Sequence, residues 1–368
     1  MTTRVVVRQA VAEDAEAVAA VRRAVYPYKA MSAAATRHII TVQSPGQRFL
    51  PLVAERDGEI VAWGSAGLTV WTSEPGESEV AVFVHPDHRK QGIGSQLAER
   101  LHQHLTEVGA IRVRTFVHPD GLEFARNLGY DGTRQMHYAG VQLASLPEQP
   151  ATPDGIEVVA FDQVDPRAAY TADTIAALDE PTDSPMDSIE YDRWLEDIWN
   201  NPSLDKSLSV AAMAGDEMAS FTLVETDGDR MWSGMTGTIP AYRGRGLAKL
   251  VKSVALRRAA ESGITAAYTS NDDENGPMLA INNWLGYERV QTELGLLLTL
   301  SDQRCGFCAK ALIQSCNRFP SGIHLKGRYV PGDFAVGVPK EFGWKSGLRD
   351  QGMSKPRSHC TTRWFRIW

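Results

Sequence analysis

The stretches Thr238-Ile-Pro-Ala-Tyr-Arg-Gly-Arg-Gly-Leu-Ala248 and, 154 positions earlier, Val84-His-Pro-Asp-His-Arg-Lys-Gln-Gly-Ile-Gly94 decide the reading of this chain. Each follows an apolar, strand-like run, meets a proline, and then opens a helical pattern with Arg-x-x-Gly-x-Gly/Ala. Glycine lets the backbone turn so that successive N–H groups point the same way, and the helix end that follows adds partial positive charge. Such a turn holds an anion. The donors are expected from Gln91, Gly92, Ile93, Gly94 and Ser95 in the first copy and from Gly244, Arg245, Gly246, Leu247 and Ala248 in the second. Arg89 and Arg243 add a cation beside the bound group, and a pyrophosphate fits this chemistry. A P-loop would need Gly-Lys-Ser/Thr at its end, and a dinucleotide fingerprint needs a third small residue where Leu97 and Lys249 stand, so both nucleotide readings fail.

Working outward, other landmarks repeat in the same order. A strand-like run at 4–10, followed by acidic residues, returns at 156–161, and Leu128-Gly-Tyr130 returns as Leu285-Gly-Tyr287. Between the copies lies the Pro-rich, apolar-poor segment 145–154. The expected division is therefore a domain at 1–146, a linker at 147–154, a second domain at 155–300 and a tail at 301–368. In the first copy, apolar runs at 52–55 and 60–66 flank an Asp57-Gly58 turn, with strands at 80–84 and 111–117. Leu97, Leu101, Leu105 and Val108 share one helical face that ends at Gly109, and a short helix follows at 122–128. The second copy repeats this with strands at 207–214, 218–225, 231–238 and 266–270 and a helix at 247–261. Hairpins followed by strand–helix–strand–helix–strand give an α/β fold on a mixed sheet.

The duplicated loop, with its V/T-x-Pro strand end and Leu-Gly-Tyr downstream, resembles the acetyl-CoA loop of the Gcn5-related N-acetyltransferase (GNAT) family. The resemblance covers residues 3–300, and its tandem arrangement is similar to that of the double-domain actinobacterial members. It implies acetyl-CoA as co-substrate, no metal, and direct attack by an amine in a ternary complex. In the family the strand before the loop splays from its neighbour, freeing backbone N–H groups to bind the thioester carbonyl. Here these belong to Phe83 or Val84 and to Gly237 or Thr238. Asn271 and Asn275 of the second copy match the region beside the pantetheine arm, since an amide donates and accepts at once; turn formation is the alternative.

The chain departs from the family at the acid. Many members carry a thiolate-protonating tyrosine five positions before the final aromatic, where Ala125 and Asn282 stand here. The catalytic candidates are Glu79, resembling a strand glutamate used as base, Asn282 at the acid position, and Tyr287 at the helix-to-strand junction, for which packing is the alternative role. The acidic run 179–192 offers a face for a cationic amine. The expected acceptor is a small-molecule amine, such as an amino-bearing metabolite or an antibiotic. Acetylation of a protein lysine or N-terminus, and sensing of acetyl-CoA without turnover, are the competing readings.

Charge supports a small-molecule partner over nucleic acid. Of 38 basic and 45 acidic residues, 12 and 4 fall after residue 300, leaving the first 300 at −15 and the tail at +8. No apolar run is long enough to span a bilayer and the N-terminus has no signal-peptide core, so a cytoplasmic protein without a membrane partner is expected, as a monomer or homodimer. All four cysteines lie in the tail, where Cys305-Gly-Phe-Cys308 with Cys316, His324, His359 and Cys360 matches no zinc template. The tail reads as a poorly ordered extension, with an accessory packing segment and a metal site as the alternatives.

Overall fold

The computed structural model describes residues 5–179, 181 and 183–300. The expectations for the cysteine-bearing tail lie outside the described residues. The first half contains β1 (Val5–Gln9), α1 (Ala15–Val25), α2 (Ala33–Thr41), β2 (Leu50–Arg56), β3 (Glu59–Leu68), β4 (Glu77–Val84), α3 (Ile93–Glu107), β5 (Arg112–Val117), α4 (Leu122–Asn127) and β6 (Asp131–Gln142). The second half contains β7 (Glu157–Ala160), α5 (Pro166–Ala177), α6 (Tyr191–Trp194), β8 (Val210–Ala214), β9 (Glu217–Asp227), β10 (Arg230–Thr238), α7 (Leu247–Glu261), β11 (Ala266–Asp272), α8 (Gly276–Trp284) and β12 (Glu288–Thr299). This is an α/β fold on a mixed sheet, with each half following the repeated layout.

Local chemistry accounts for the elements. The α3 stripe is buried at Leu97, Leu101 and Leu105, while the opposite face carries Glu99, Arg100 and Gln103. In α7 the buried face is wider and includes Leu250, Val251, Ala255, Leu256 and Ala259. Gly92 and Gly246 precede α3 and α7 in the left-handed region, at φ of 80° and 77°, which a β-carbon would oppose.

The strands form one twelve-stranded sheet in the order β1-β2-β3-β4-β5-β12-β6-β11-β10-β9-β8-β7. The two halves exchange their last strands. β12 inserts beside β5 of the first half, with Leu296 opposite Thr115, and β6 lies beside β11 of the second, with Ala139 opposite Thr269. The cores follow the exchange. Leu296 is fully buried in the first-half cluster, with Leu294 and Leu298 packed against it, and Val141 and Leu143 join the second-half cluster. Each leucine so buried contributes about 1.5–3 kcal/mol, so each half depends on the other's last strand for part of its core.

Candidate active site

Two wedges open in the sheet. β4 and β5 run parallel and pair only from Glu77–Arg112 to Glu79–Arg114. β10 and β11 pair only from Arg230–Ala266 to Trp232–Tyr268. Beyond those points each strand pair separates toward its glycine turn. The wedges differ in one respect. β10 carries a register shift against β9 between Ser233 and Thr236, where Gly234 and Met235 oppose the single residue Leu223, whereas β4 pairs with β3 without interruption from Ser78 to Val84.

Antiparallel alternation tells which N–H groups enter each wedge. Ile239 donates to the Ala219 carbonyl at 3.0 Å, so the Gly237 N–H points at β9 while those of Thr236 and Thr238 point into the wedge. His85 likewise donates to the Val61 carbonyl at 3.0 Å, which directs Phe83 at β3 and leaves Val84 facing the first wedge. Of the four carbonyl-binding candidates, alternation selects Val84 and Thr238.

Neither glycine turn has a side-chain cap. The first helical N–H groups, at Ile93, Gly94 and Ser95 and at Leu247, Ala248 and Lys249, therefore lack intrahelical partners. A β-carbon built on Gly92, Gly244 or Gly246 meets nothing within 4 Å. Arg89 and Arg243 each donate Nε to the carbonyl that ends the preceding strand, at 3.2 Å to Val84 and 3.1 Å to Thr238, and each pairs with a carboxylate, Asp120 and Asp179. These arginines brace the turn as well as charging it. Gln91 accepts from Arg56, and Arg245 donates to the Asp154 carbonyl at 3.2 Å.

A cavity of about 790 Å³ separates the copies in role. Gly237, Thr238, Arg243, Gly244, Gly246, Leu247, Ala248, Asn271 and Asn275 line it, whereas of the first-copy candidates only Glu79 and Phe83 do. Val84, Arg89, Gln91, Gly92, Ile93, Gly94 and Ser95 are not among its lining residues. Counting from Arg89 and Arg243, Phe83 is the counterpart of Gly237; counting from Arg112 and Ala266, Phe116 is the counterpart of Ser270. Rings occupy the first wedge: Phe83 sits edge-on to Tyr26 at 5.2 Å, and Tyr26 lies 4.9 Å from His118. In the second wedge, a β-carbon on Gly237 would come within 2.5 Å of Ala176 on α5, so glycine is required for the packing there.

The catalytic candidates scatter. Glu79 lines the cavity, but its Oε1 is held by Arg114, with Nε at 3.1 Å. Tyr287 is absent from the cavity lining and belongs to the second-half core, where burial pushes its hydroxyl well up. Asn282 is buried on α8 and donates Nδ2 to Asn271 Oδ1 at 2.5 Å, leaving its own Oδ1 without a partner. Asn275 caps α8, accepting from the Met278 N–H at 3.3 Å, so its turn role is present. The acidic run reaches the cavity through Asp179, Met186 and Ile189, while Asp187 accepts from Ser73 and Asp183 faces Arg134.

Several lining groups escaped sequence reasoning. The Ser270 hydroxyl is buried and unpartnered. Glu225 lies on β9, and its Oε1 stands 3.8 Å from where a β-carbon on Gly234, inside the bulge, would be. Glu293 on β12 is fully buried, accepts from Tyr26 and Tyr138, and lies 3.5 Å from His118 Nε2. Lys252 is 2% exposed on α7. Its position four residues from Ala248 and from Leu256 was a usable signal, because that spacing places a lysine on the apolar face. Among the described residues no group of three or more His, Cys, Asp or Glu is poised to hold a metal, and no helix is long and apolar enough to cross a membrane.

The family model of the acetyltransferase (GNAT) family matches residues 16–130. The mycothiol acetyltransferase of Streptomyces bingchenggensis is 28% identical over 260 residues, covering 68% of this chain and 80% of its own. That of a Nocardioides species is 24% identical over 231 residues, covering 59% and 78%. Among solved structures, the tandem GNAT protein from the clavulanic acid biosynthesis pathway matches with a TM-score of 0.63 at 18% identity, over 80% of this chain and 98% of that one. A GCN5-related N-acetyltransferase from Sphaerobacter thermophilus matches with a TM-score of 0.61 at 19% identity, over 80% and 95%.

Proposed function

Because this chain is a tandem member of the GNAT acetyltransferase family, we propose that its second copy holds acetyl-CoA and that the enzyme acetylates the amine of a small molecule directly, in a ternary complex. One observation carries this reading: the Gly246 turn, the bulged edge of β10 and the unpartnered Ser270 hydroxyl meet at one cavity, while the Gly92 turn does not open into it. The unsatisfied Ser270 Oγ is a buried polar atom of the cavity lining whose desolvation a ligand amide would offset. The residues present therefore fit the co-substrate in the second copy. In the first, Phe83 and Phe116, on the separating ends of β4 and β5, pack against the cluster that contains Tyr26 and Tyr138.

Bound acetyl-CoA supplies an activated acetyl thioester. The chain's own residues do the rest. The N–H groups of Leu247, Ala248 and Lys249, with the helix end behind them, bind the diphosphate. Asn271 and Ser270 orient the arm, and the N–H groups of Thr236 and Thr238 face the carbonyl oxygen as charge develops on it. Glu225, beside the bulge, accepts the proton of the attacking amine.

The acceptor side of the cavity is apolar. Met31, Phe49, Trp71, Met186, Ile189 and Trp232 line it. Three charged pairs in the lining are matched internally, Glu79–Arg114, Arg193–Asp197 and Asp179–Arg243. A polyhydroxylated amine would lose its water to such walls without replacement hydrogen bonds; an amine on an aromatic or aliphatic body would not. Thiol release with an amine panel tests this reading. Arylalkylamines are expected to be consumed faster than amino sugars or polyamines, and the reverse order would refute the acceptor class. Calorimetry should give one acetyl-CoA per chain; no uptake would refute the whole reading.

A further inference from the structure

The customary acid position holds Asn282, whose amide has no proton to give near neutral pH. A different group stands at the narrow end of the second wedge. Lys252, on the sheet-facing side of α7, directs Nζ to Ser233 Oγ at 2.8 Å. Ser233 is the last β10 residue before the bulge, and Thr269 Oγ1 ties its carbonyl to β11 at 3.0 Å. Lys252 lines the cavity together with Thr269 and Ser270. We infer that Lys252 is the proton donor to the departing thiol in the second-copy site, an assignment that rests on the acetyl-CoA reading above.

The surroundings explain why a lysine can do this. A buried ammonium without a carboxylate costs several kcal/mol (order of magnitude), and Lys252 makes no ion pair among the described residues. Its neighbours are Ser233 from β10 and the Tyr287 ring, 5.5 Å away; Lys249, on its own helix, points instead over Trp284 at 4.2 Å. No charge offsets the desolvation, which pushes Lys252 down to about 7, so both protonation states are populated at neutral pH. A methionine would fill the same apolar helix position without that penalty. The expensive residue stands where a proton is needed.

The step balances. The acceptor nitrogen forms a bond to the carbonyl carbon and gives its proton to Glu225, the carbon–sulfur bond breaks with its electron pair on sulfur, and Lys252 passes one Nζ proton to that sulfur. Neutral Lys252 regains a proton from solvent, and Glu225 returns one to it. The net change is thioester plus amine to amide plus thiol.

The test uses the full chain and the variants Lys252→Met and Lys252→Arg. Both should still take up acetyl-CoA in calorimetry. Lys252→Met should lose about a hundredfold in kcat, with KM for acetyl-CoA within threefold. Lys252→Arg, charged but unable to give up its proton, should lose a similar factor. In the wild type kcat should fall as pH rises through about 7, and both variants should lack that limb. Independently of turnover, 13Cε NMR of lysine-labelled protein should show one resonance titrating near 7 that disappears in Lys252→Arg. Unchanged kcat in a variant that binds acetyl-CoA would overturn the assignment, as would a lysine spectrum with no resonance titrating between pH 6 and 9. The spectrum decides alone should a variant fail to fold. Absence of acetyl-CoA uptake by the wild type would instead remove the reading on which the assignment rests.

Discussion

Leu296 on β12 lies opposite Thr115 on β5, in the sheet of the other half, and its side chain is fully buried in the cluster that contains Leu97, Leu101 and Leu105 of α3. The last strand of the chain thereby completes the core of the first copy, and β6 does the reciprocal service for the second.

Separate expression should expose this dependence. Residues 1–146 and 155–300 produced apart are each expected to lack a cooperative thermal transition, because each loses a strand and several buried leucines or valines. Co-expressed, they should associate and recover one. In the intact chain Leu296→Ala should lower stability by about 2–5 kcal/mol, read by denaturant unfolding. A well-folded isolated half would contradict the exchange.

The two glycine turns give a matched pair of substitutions. Gly92→Val and Gly246→Val meet the same positive φ and the same open space, so each should cost a similar 1–2 kcal/mol or so of backbone strain. Their effects on acetyl-CoA uptake should differ. Gly246→Val is expected to abolish binding in calorimetry and Gly92→Val to leave it intact. Equal losses would restore the first copy as a binding site.

Two of the cavity carboxylates, Glu225 and Glu79, should separate in kinetics. Glu225→Gln is expected to lower kcat by about a hundredfold with little change in KM for acetyl-CoA. Glu79→Gln removes the partner of the buried Arg114 guanidinium and should lower the melting temperature while leaving kcat within about threefold of wild type. The opposite pattern would return the base to the first copy.

Asp173 on α5 predicts a pH effect on stability. It is buried, accepts from Trp194 Nε1 at 2.7 Å, and burial raises its carboxyl from 3.8 to about 6. Between those values the folded chain holds a proton that the unfolded chain has released, so this group's contribution falls as pH rises through that window. Asp173→Asn keeps an acceptor for the indole and carries no charge. It should stabilise the protein at pH 7–8, with the gain vanishing below about pH 4, as thermal melts across pH would report.

Much of the fold is legible along the chain. The 3.6-residue stripe of Leu97, Leu101 and Leu105, the apolar runs flanking Asp57-Gly58 and the two glycine turns depend only on a residue and its near neighbours. Those signals gave the order of most strands and helices, the repeated glycine turns and, through them, the resemblance to the GNAT family. Two helical segments, α2 and α6, escaped that reading, since each is short and lacks a sustained apolar stripe, and β6, α8 and β12 were given no bounds.

The site was legible in part. The second-copy loop and Asn271 line the cavity, the equivalent first-copy loop does not, and the groups flanking the β10 bulge, Glu225 and Lys252, were not singled out. Whether a turn opens into a cavity depends on what fills the wedge beside it. Phe83 and Phe116 pack with Tyr26 at one wedge, whereas the other presents the buried, unpartnered Ser270 hydroxyl to the cavity.

What the amino-acid order determined by itself is most of the strands and helices and the place of the glycine turns, because helix, strand and turn preferences act over a few residues. Only the tertiary structure decided which sheet each last strand joins, which turn faces the cavity and whether a counter-charge stands beside Lys252. Those outcomes are set by contacts between residues more than a hundred positions apart, such as Leu296 with Thr115, and no local pattern encodes them.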